Sequence, residues 1–425
     1  MALTPLNKRE MEESDGSKPA AEPAATKQPV DFELSLETGL TGRALKLYPA
    51  SAGYDLREEL DFLTARAMED NVFFSAQFLA PAMPRLEDRT IRLMVIRDDN
   101  EARSRLRFLM PFSVEKPGMP VGPSIIRSWS NPFGPLGTPL LDSENAAETI
   151  SGLFDAINRP ESGLPSILVL PNLRRDGPFA SVLRAVALSR NLTIAETDPF
   201  ERPVLRSDVP PAQYLDQTIS AKHRREHRRQ KRKLSELGKL AYHVARNPEE
   251  IRQRTEEFLT LEASGWKGSR RSALAMDRFR AAFTREAITN LAEKDNVRIH
   301  TLDLDGRAIA SMIVFVMNGT AYTWKTAFDE TYSQFSPGQL LVEDLTETLL
   351  EDPNIDMTDS CAVPDHPVMS RSWQERSPMS TVIVGLNEAK DREVRQVAKQ
   401  LHLYHETRNF GRRVREKLRS MIGLR

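Results

Sequence analysis

Apolar and polar positions alternate singly at Phe32 and Leu34 and again through Leu45, Leu47 and Tyr48, the period of strands with one buried face. After Asp55 the spacing lengthens, and Leu56, Leu60, Leu63 and Met68 fall on one side of an expected helix. Strands over 91–96 and 106–112 flank Asp98, Asp99 and Asn100, turn formers that join them as an antiparallel pair. Gly and Pro crowd residues 118–139 as a loop. Helices over 143–157 and 180–190 then bracket a short buried strand at 166–170, and a strand near Leu192 completes a unit that ends around Val204.

Beyond Pro210 and Pro211 the pattern predicts one long helix over 212–237, stopped by Gly238, since a glycine just past a helix end tolerates positive φ. A strand at 241–245 and helices at 248–263 and 276–293 follow. Three strands, 297–304, 308–317 and 320–327, are then joined by Asp305-Gly306 and Asn318-Gly319, pairs that supply the positive φ two-residue hairpins need. A helix over 338–351, a strand at 355–358 and a last strand at 381–386 close the pattern. The fold class this order predicts is mixed α/β, with antiparallel-rich sheets flanked by helices. It divides the chain into units 31–205 and 206–387, after a tail, 1–30, too poor in large apolar groups to offset the entropy of ordering. Residues 388–425 form a basic, amphipathic helical tail.

Composition narrows the class further. Of 425 residues, 40% are hydrophobic and 28% charged, which excludes collagen-like, wholly disordered and disulfide-scaffold chains. Cys361 is alone, so it forms no intrachain disulfide, and seven scattered His give no ligand spacing; no metal is expected. The strongest apolar run, 308–317, is half a membrane span, and acids occupy the N-terminal stretch where a signal peptide would be apolar, so a cytoplasmic location is expected. The net charge of -1 hides segregation. Residues 220–233 carry eight Lys/Arg against Glu226, and 388–425 carry eleven against five acids, both set on an acidic body. The first stretch reads as a solvated helix face, a surface steering phosphates, or a nucleic-acid contact; without interleaved aromatics, base stacking is not indicated and nucleic acid is not expected as a partner. The tail, with Val397, Leu401, Tyr404, Val414, Leu418 and Met421 recurring beside Arg412, Arg413, Arg415, Lys417 and Arg419, docks on its own domain or on an anionic membrane surface.

Candidate chemistry gathers around residues 320–341. Ser336, Pro337, Gly338 and Gln339 open a helix, which is either plain capping or an anion site made by free N–H groups and the positive dipole end. Asp329, Glu330 and Asp359 are carboxylates at strand ends, each a turn or capping acid or a general base. Trp324 and Lys325 are adjacent on one strand, so only one of them can face a cleft. Trp266 and Lys267 follow a helix carrying Phe258 and Leu261; Trp266 either closes the core or stacks on an acceptor. Cys361 reads as a packing residue.

The stretch Tyr322–Tyr332 with Phe335–Leu341, and Phe258–Gly268 upstream of it, resembles the GNAT-fold acetyltransferases related to FemAB transferases, and within them the CelD/BcsL-like group linked to cellulose and exopolysaccharide synthesis. The resemblance covers about 205–385, including the basic helix from Ser220, and more loosely 53–205 through Asn71–Phe74 and Trp129–Leu140. It implies two GNAT-like folds in tandem, the second retaining an acyl-donor site. The donor would be acetyl-CoA or another acyl-CoA, held by Trp324 and by Phe335, Ser336, Pro337, Gly338 and Gln339. Asp329, Asp359 and Lys325 form the catalytic set, and Trp266, Lys267, Arg371 and Trp373 the acceptor contacts; Arg371 stands in for a Lys common after the late strand. The acceptor would be an amine or hydroxyl of a sugar, polysaccharide precursor or small metabolite. Two alternatives are aminoacyl transfer from tRNA, as in FemAB-type enzymes, and a non-catalytic scaffold module of a polysaccharide synthase recruited through the basic tail.

Overall fold

In the computed structural model, which describes residues 31–40, 42–86, 90–100, 103–118, 122–364 and 366–421, the strands of both halves of the chain join into one sheet. The expected disordered tail, 1–30, lies outside the described residues. The first half contributes β1 (Leu34–Glu37), β2 (Arg43–Pro49), β3 (Arg92–Asn100), β4 (Arg103–Glu115), β5 (Ile125–Ser128), β6 (Leu140–Leu141), β7 (Ile167–Arg174) and β8 (Ile194–Leu205). The second contributes β9 (Leu240–Ala245), β10 (Val297–Leu304), β11 (Arg307–Met317), β12 (Thr320–Phe328), β13 (Met357–Asp359) and β14 (Glu375–Gly385). Their order is β1-β2-β3-β4-β5-β7-β14-β8-β13-β12-β11-β10-β9, with β6 beside β4.

One pairing pattern occurs twice. Antiparallel β2, β3, β4 and β5 lead to a parallel pair, β5 with β7. Antiparallel β9, β10, β11 and β12 lead to a second, β12 with β13. The two runs meet across β14 and β8, long strands that each serve both halves. β14, the last in sequence, inserts between β7 and β8 and sends Val382 and Val384 into the core of Leu168, Leu170 and Phe154. The end of β8 reaches over to pair Leu205 with Thr358, and Leu205 joins the other core with Leu341 and Trp373.

The hairpins form as the turn residues dictate: Asp305 and Gly306 have φ of 50° and 78°, Asn318 and Gly319 of 45° and 81°. The expected single helix over 212–237 is instead two, Pro211–Thr218 and Ala221–Ser235. Ile219 between them is extended, and Ser220 caps the second, its hydroxyl accepting from His223 N–H. Gly238 does not take the left-handed conformation assigned to it; it is required because Asp305 packs where a Cβ would stand, 2.2 Å from Oδ2. The region 118–139, read as a loop, contains β5, too short to show a period. The helix Arg278–Ala292 begins at Asp277, whose carboxylate accepts from the N–H groups of Phe279 (2.9 Å) and Arg280 (3.0 Å). Asp277→Ala is expected to cost about 1 kcal/mol in urea unfolding, the ordinary worth of an N-cap.

The terminal helix, Asp391–Met421, lays Val394, Val397 and Leu401 on Ile125, Ile167, Val169 and Ile383, so its first turns dock on the chain's own sheet. The side chains of Val414, Leu418 and Met421 lie outside the described residues.

Candidate functional site

β12 and β13 stay paired only from Thr320↔Met357 to Tyr322↔Asp359, yet β12 runs on to Phe328. The chain after β13 turns away at Cys361, a residue with φ of 49°, and a cavity of about 700 Å³ opens between the diverging segments. Thr323 to Thr326 form one wall and Ser360 to Val363 the other. Thr323 Oγ1 donates to Ser360 O at 2.7 Å where the strands part. Opposite β11, Ile313 faces Lys325 and Val314 faces Thr323, so Trp324 is one residue more than β11 can match. Such a bulge leaves a residue outside the ladder and turns backbone polar groups toward the open side.

The mouth of the cavity is the start of the helix Pro337–Glu351, where Ser336, Pro337, Gly338 and Gln339 all line it. Ser336 sits at the N-cap with φ of 52°, and its side chain does not cap; its hydroxyl accepts from Gln230 Nε2 at 3.3 Å. The first backbone bond of the helix is Gln339 N–H to Ser336 O, so the Gly338 N–H precedes the ladder and Pro337 has none to offer. A Cβ on Gly338 would meet only Phe328 Cδ1, at 3.6 Å, which means open space lies beside this backbone. Phe335 does not line the cavity; it packs on the second core.

The buried edge of the helix Ala221–Ser235 backs this turn. His227 bonds Gln339 Oε1 through Nε2 at 3.0 Å and Glu343 through Nδ1, while Lys231 Nζ reaches Asp344 at 2.8 Å. The Glu343 hydrogen bond holds the His227 imidazole above its usual value despite burial, which favours the doubly protonated ring paired with that carboxylate. His227 and Gln230 were not singled out from sequence because they sit inside a run of cations. His366 is a third residue without a motif. It lines the cavity, its Nδ1 accepts from Met369 N–H at 3.3 Å, and burial lowers it, so the neutral ring keeps its proton on Nε2.

The expected carboxylates do not reach the cavity. Asp329 caps the turn Glu330–Phe335, accepting from Thr331 N–H at 3.0 Å, and Glu330 accepts from Trp266 N–H at 2.7 Å. Asp359 is fully buried between Arg174 and Arg202, each 3.4 Å from Oδ2, and accepts from Cys361 N–H at 2.7 Å. Burial alone would raise it, but Arg202 and Arg174 outweigh that and hold the carboxyl below its usual range. It is a counter-ion to two arginines, buried and outside the cavity lining, so it does not meet a substrate proton. Cys361 faces the cavity rather than filling the core; burial and the neighbouring Asp359 push its thiol well up, so it stays protonated.

Both neighbours on β12 are fixed by the first half of the chain. Trp324 Nε1 donates to Phe133 O at 2.7 Å, and its ring joins Phe78, Phe283 and Phe315 while one edge lines the cavity. Lys325 Nζ donates to Pro132 O at 3.2 Å. Lys267 lines the cavity and is tied to the buried Glu262 (2.9 Å) and to Thr326 O (2.8 Å), whereas Trp266 is 45% exposed with Arg270 over its ring at 4.8 Å. Trp373, expected at the acceptor, is instead a core residue, wholly buried with Nε1 donating to Thr346 at 2.9 Å. Arg371, on the short helix Met369–Ser372, is exposed and is not part of the cavity lining.

The first half has the counterpart of this geometry without the opening. Its helix Ala146–Ile157 also follows a left-handed N-cap, Asn145 with φ of 57°. There Asp142, fully buried, takes Glu144 N–H at 3.0 Å and binds Arg66 and Arg105.

Residues 221–362 match the family described as the acetyltransferase (GNAT) domain, a span that runs from the basic helix to the far wall of the cavity and covers one third of the chain. No curated protein sequence matches the chain. Among solved structures, similarity extends to the C-terminal domain of a putative lysylphosphatidylglycerol synthetase from Agrobacterium fabrum, at 12% identity and a TM-score of 0.49 over 81% of this chain and 95% of that one. FemX gives 7% and 0.48 over 78% and 96%. A tandem GNAT protein from the clavulanic acid biosynthesis pathway gives 13% and 0.39 over 80% and 98%.

Proposed function

From the acetyltransferase domain over residues 221–362, which makes the protein an acyltransferase, we propose that the cleft between β12 and the segment after β13 binds an acyl-CoA and passes its acyl group directly to an amine or hydroxyl. One observation carries this reading: the point where β12 and β13 part, and the unpartnered start of the helix Pro337–Glu351, border the same cavity. A pyrophosphate at Gly338 would meet its free N–H group and the positive end of the helix dipole, with the Gln339 side chain held from behind by His227. The thioester then lies along residues 323–326, where the bulge at Trp324 turns backbone N–H toward the carbonyl oxygen; a preorganised donor at that point stabilises the oxyanion that forms during attack.

The acceptor nitrogen or oxygen attacks the thioester carbon, the carbon–sulfur bond breaks, and the CoA thiolate leaves with the proton the acceptor loses. No carboxylate lines the cavity among the described residues, and Nδ1 of His366 is taken by Met369 N–H, which leaves Nε2 as the protonated nitrogen of the neutral ring. A neutral amine or a hydroxyl therefore attacks without an enzyme carboxylate, and the proton it loses passes through water in the cleft to the departing thiolate. Rate should rise with pH until the acceptor's own pKa is passed, with no enzyme carboxylate visible in the profile. The first half supports the wall from behind, Phe133 O and Pro132 O accepting from Trp324 and Lys325. An acceptor on a sugar or polysaccharide precursor fits this open cleft, as does a small metabolite.

Calorimetric titration with acetyl-CoA and longer acyl-CoAs tests the reading, together with CoA release over a panel of amino sugars and amines. One bound donor per chain is expected; no heat from any acyl-CoA would defeat it. Aminoacyl transfer from tRNA keeps support from one feature, the exposed Lys222, Arg225, Arg228 and Lys233 on the helix that backs the donor site. It requires tRNA binding whose affinity falls steeply with salt.

A further inference from the structure

At the Trp324 and Thr326 wall the cleft has cations that the donor does not account for, one of them, Arg280, standing outside the lining beside Phe133. Lys325 is half-buried, lines the cavity and has no carboxylate within 4.0 Å among the described residues; its partners are Pro132 O and the ring of Phe133, 4.5 Å away. The Arg280 guanidinium lies over the same ring, at 5.5 Å, and it too has no ion pair among the described residues. Lys267 adds a third positive charge, but it is satisfied by Glu262 and Thr326 O. Glu262, the one acid felt there, is fully used, its second oxygen accepting Leu274 N–H at 2.7 Å. Burial, with Lys267 and then Arg280 pressing against it, brings Lys325 down to about 8, the mark of a charge held without a counter-ion.

Stranding a cation in a half-buried place costs stability unless something pairs with it. The donor's phosphates cannot, since the helix start at Gly338 places them at the mouth. The loop carrying Phe133 is also built to stay: Asn131 Oδ1 accepts from the N–H groups of Phe133 (2.8 Å) and Gly134 (3.1 Å), and Trp324 and Lys325 donate to its carbonyls. We propose that Lys325 and Arg280, set against Phe133, form the binding site for an anionic group, a carboxylate or phosphate, carried by the acyl acceptor. The site is shared by the two halves and rests on the reading of this cleft as an acyl-transfer site. Only an acceptor with its nucleophile and its anion on one molecule fits it.

The test labels Lys325 with an amine-acylating reagent at pH 8 in the full-length protein with CoA present, and follows protection by inorganic phosphate or by acetate at constant ionic strength. The site predicts that at least one of the two anions slows labelling about tenfold at saturation, that which one does so identifies the anion, and that protection disappears in Arg280→Gln with CoA affinity unchanged. Labelling at the same rate with and without both anions would overturn the proposal, as would protection that survives Arg280→Gln. CoA heat measured on the same samples reads the donor site separately: protection without CoA binding would retain the anion site and remove the acyl-CoA reading, and the reverse would do the opposite.

Discussion

Gly338→Trp abolishes donor binding: acetyl-CoA affinity is expected to fall by about a hundredfold or more, with the melting temperature nearly unchanged. The reason is positional. Gly338 has ordinary helical space around it, and the one atom near a new Cβ is Phe328 Cδ1 at 3.6 Å, so a side chain is accommodated. What that side chain fills is the volume where a pyrophosphate would lie against the free Gly338 N–H at the helix start. Gly338→Ala adds only a methyl group and should cost far less, which separates steric blockage from loss of helix geometry. Fluorescence-monitored titration of both variants checks the pair; a Trp variant that binds acetyl-CoA as well as the wild type would remove the donor from this end of the cleft.

Asp359→Ala is expected to destabilise the fold by about 3–5 kcal/mol, the usual consequence of taking one partner from a buried ion cluster. Arg202 would remain inside without its counter-charge, and Arg174 with only the more distant Glu69, at the junction where β8, β13 and β14 hold the halves together. The pH dependence has a defined sign. Because the folded carboxyl titrates below its unfolded value of about 3.9, its contribution is complete above that value and is lost as the pH falls through the lower folded one. Urea unfolding at neutral pH measures the loss, and the gap between wild type and variant should close only in acid. A loss under about 1 kcal/mol would mean the arginines are compensated elsewhere.

These two residues also show what the sequence carried. Gly338 was visible because its signal is local: a strand, a loop and a Ser-Pro-Gly helix start are contiguous, and the hairpin pairs Asp305-Gly306 and Asn318-Gly319 fixed the strands ahead of it. Asp359 was visible only as a carboxylate near a strand end and was read as a base. Its partners lie 185 and 157 positions away, brought in by β7 and β8 through a strand exchange that no periodicity records. Trp373 failed similarly: beside Arg371 in an irregular segment it looked available, and only the packing around Thr346 shows it buried. The break at Ser220 was hidden because a cationic run reads as helix throughout, and a cap hydroxyl competes with the backbone only once the chain turns there. Lys325 and Lys267, picked from sequence for catalysis and acceptor contact, do line the cavity, but the loop of Phe133 that pins Lys325 comes from the other half of the chain.

The binding of an acyl-CoA between β12 and β13 is tested most directly by a crystal structure of the protein soaked with acetyl-CoA. The pyrophosphate is expected within hydrogen-bond reach of the Gly338 N–H group, with the thioester beside Trp324 and Lys325 and the pantetheine arm between Thr323 and Ala362. Acetyl-CoA ordered elsewhere on the molecule, or bound with its pyrophosphate away from the start of the helix Pro337–Glu351, would contradict it.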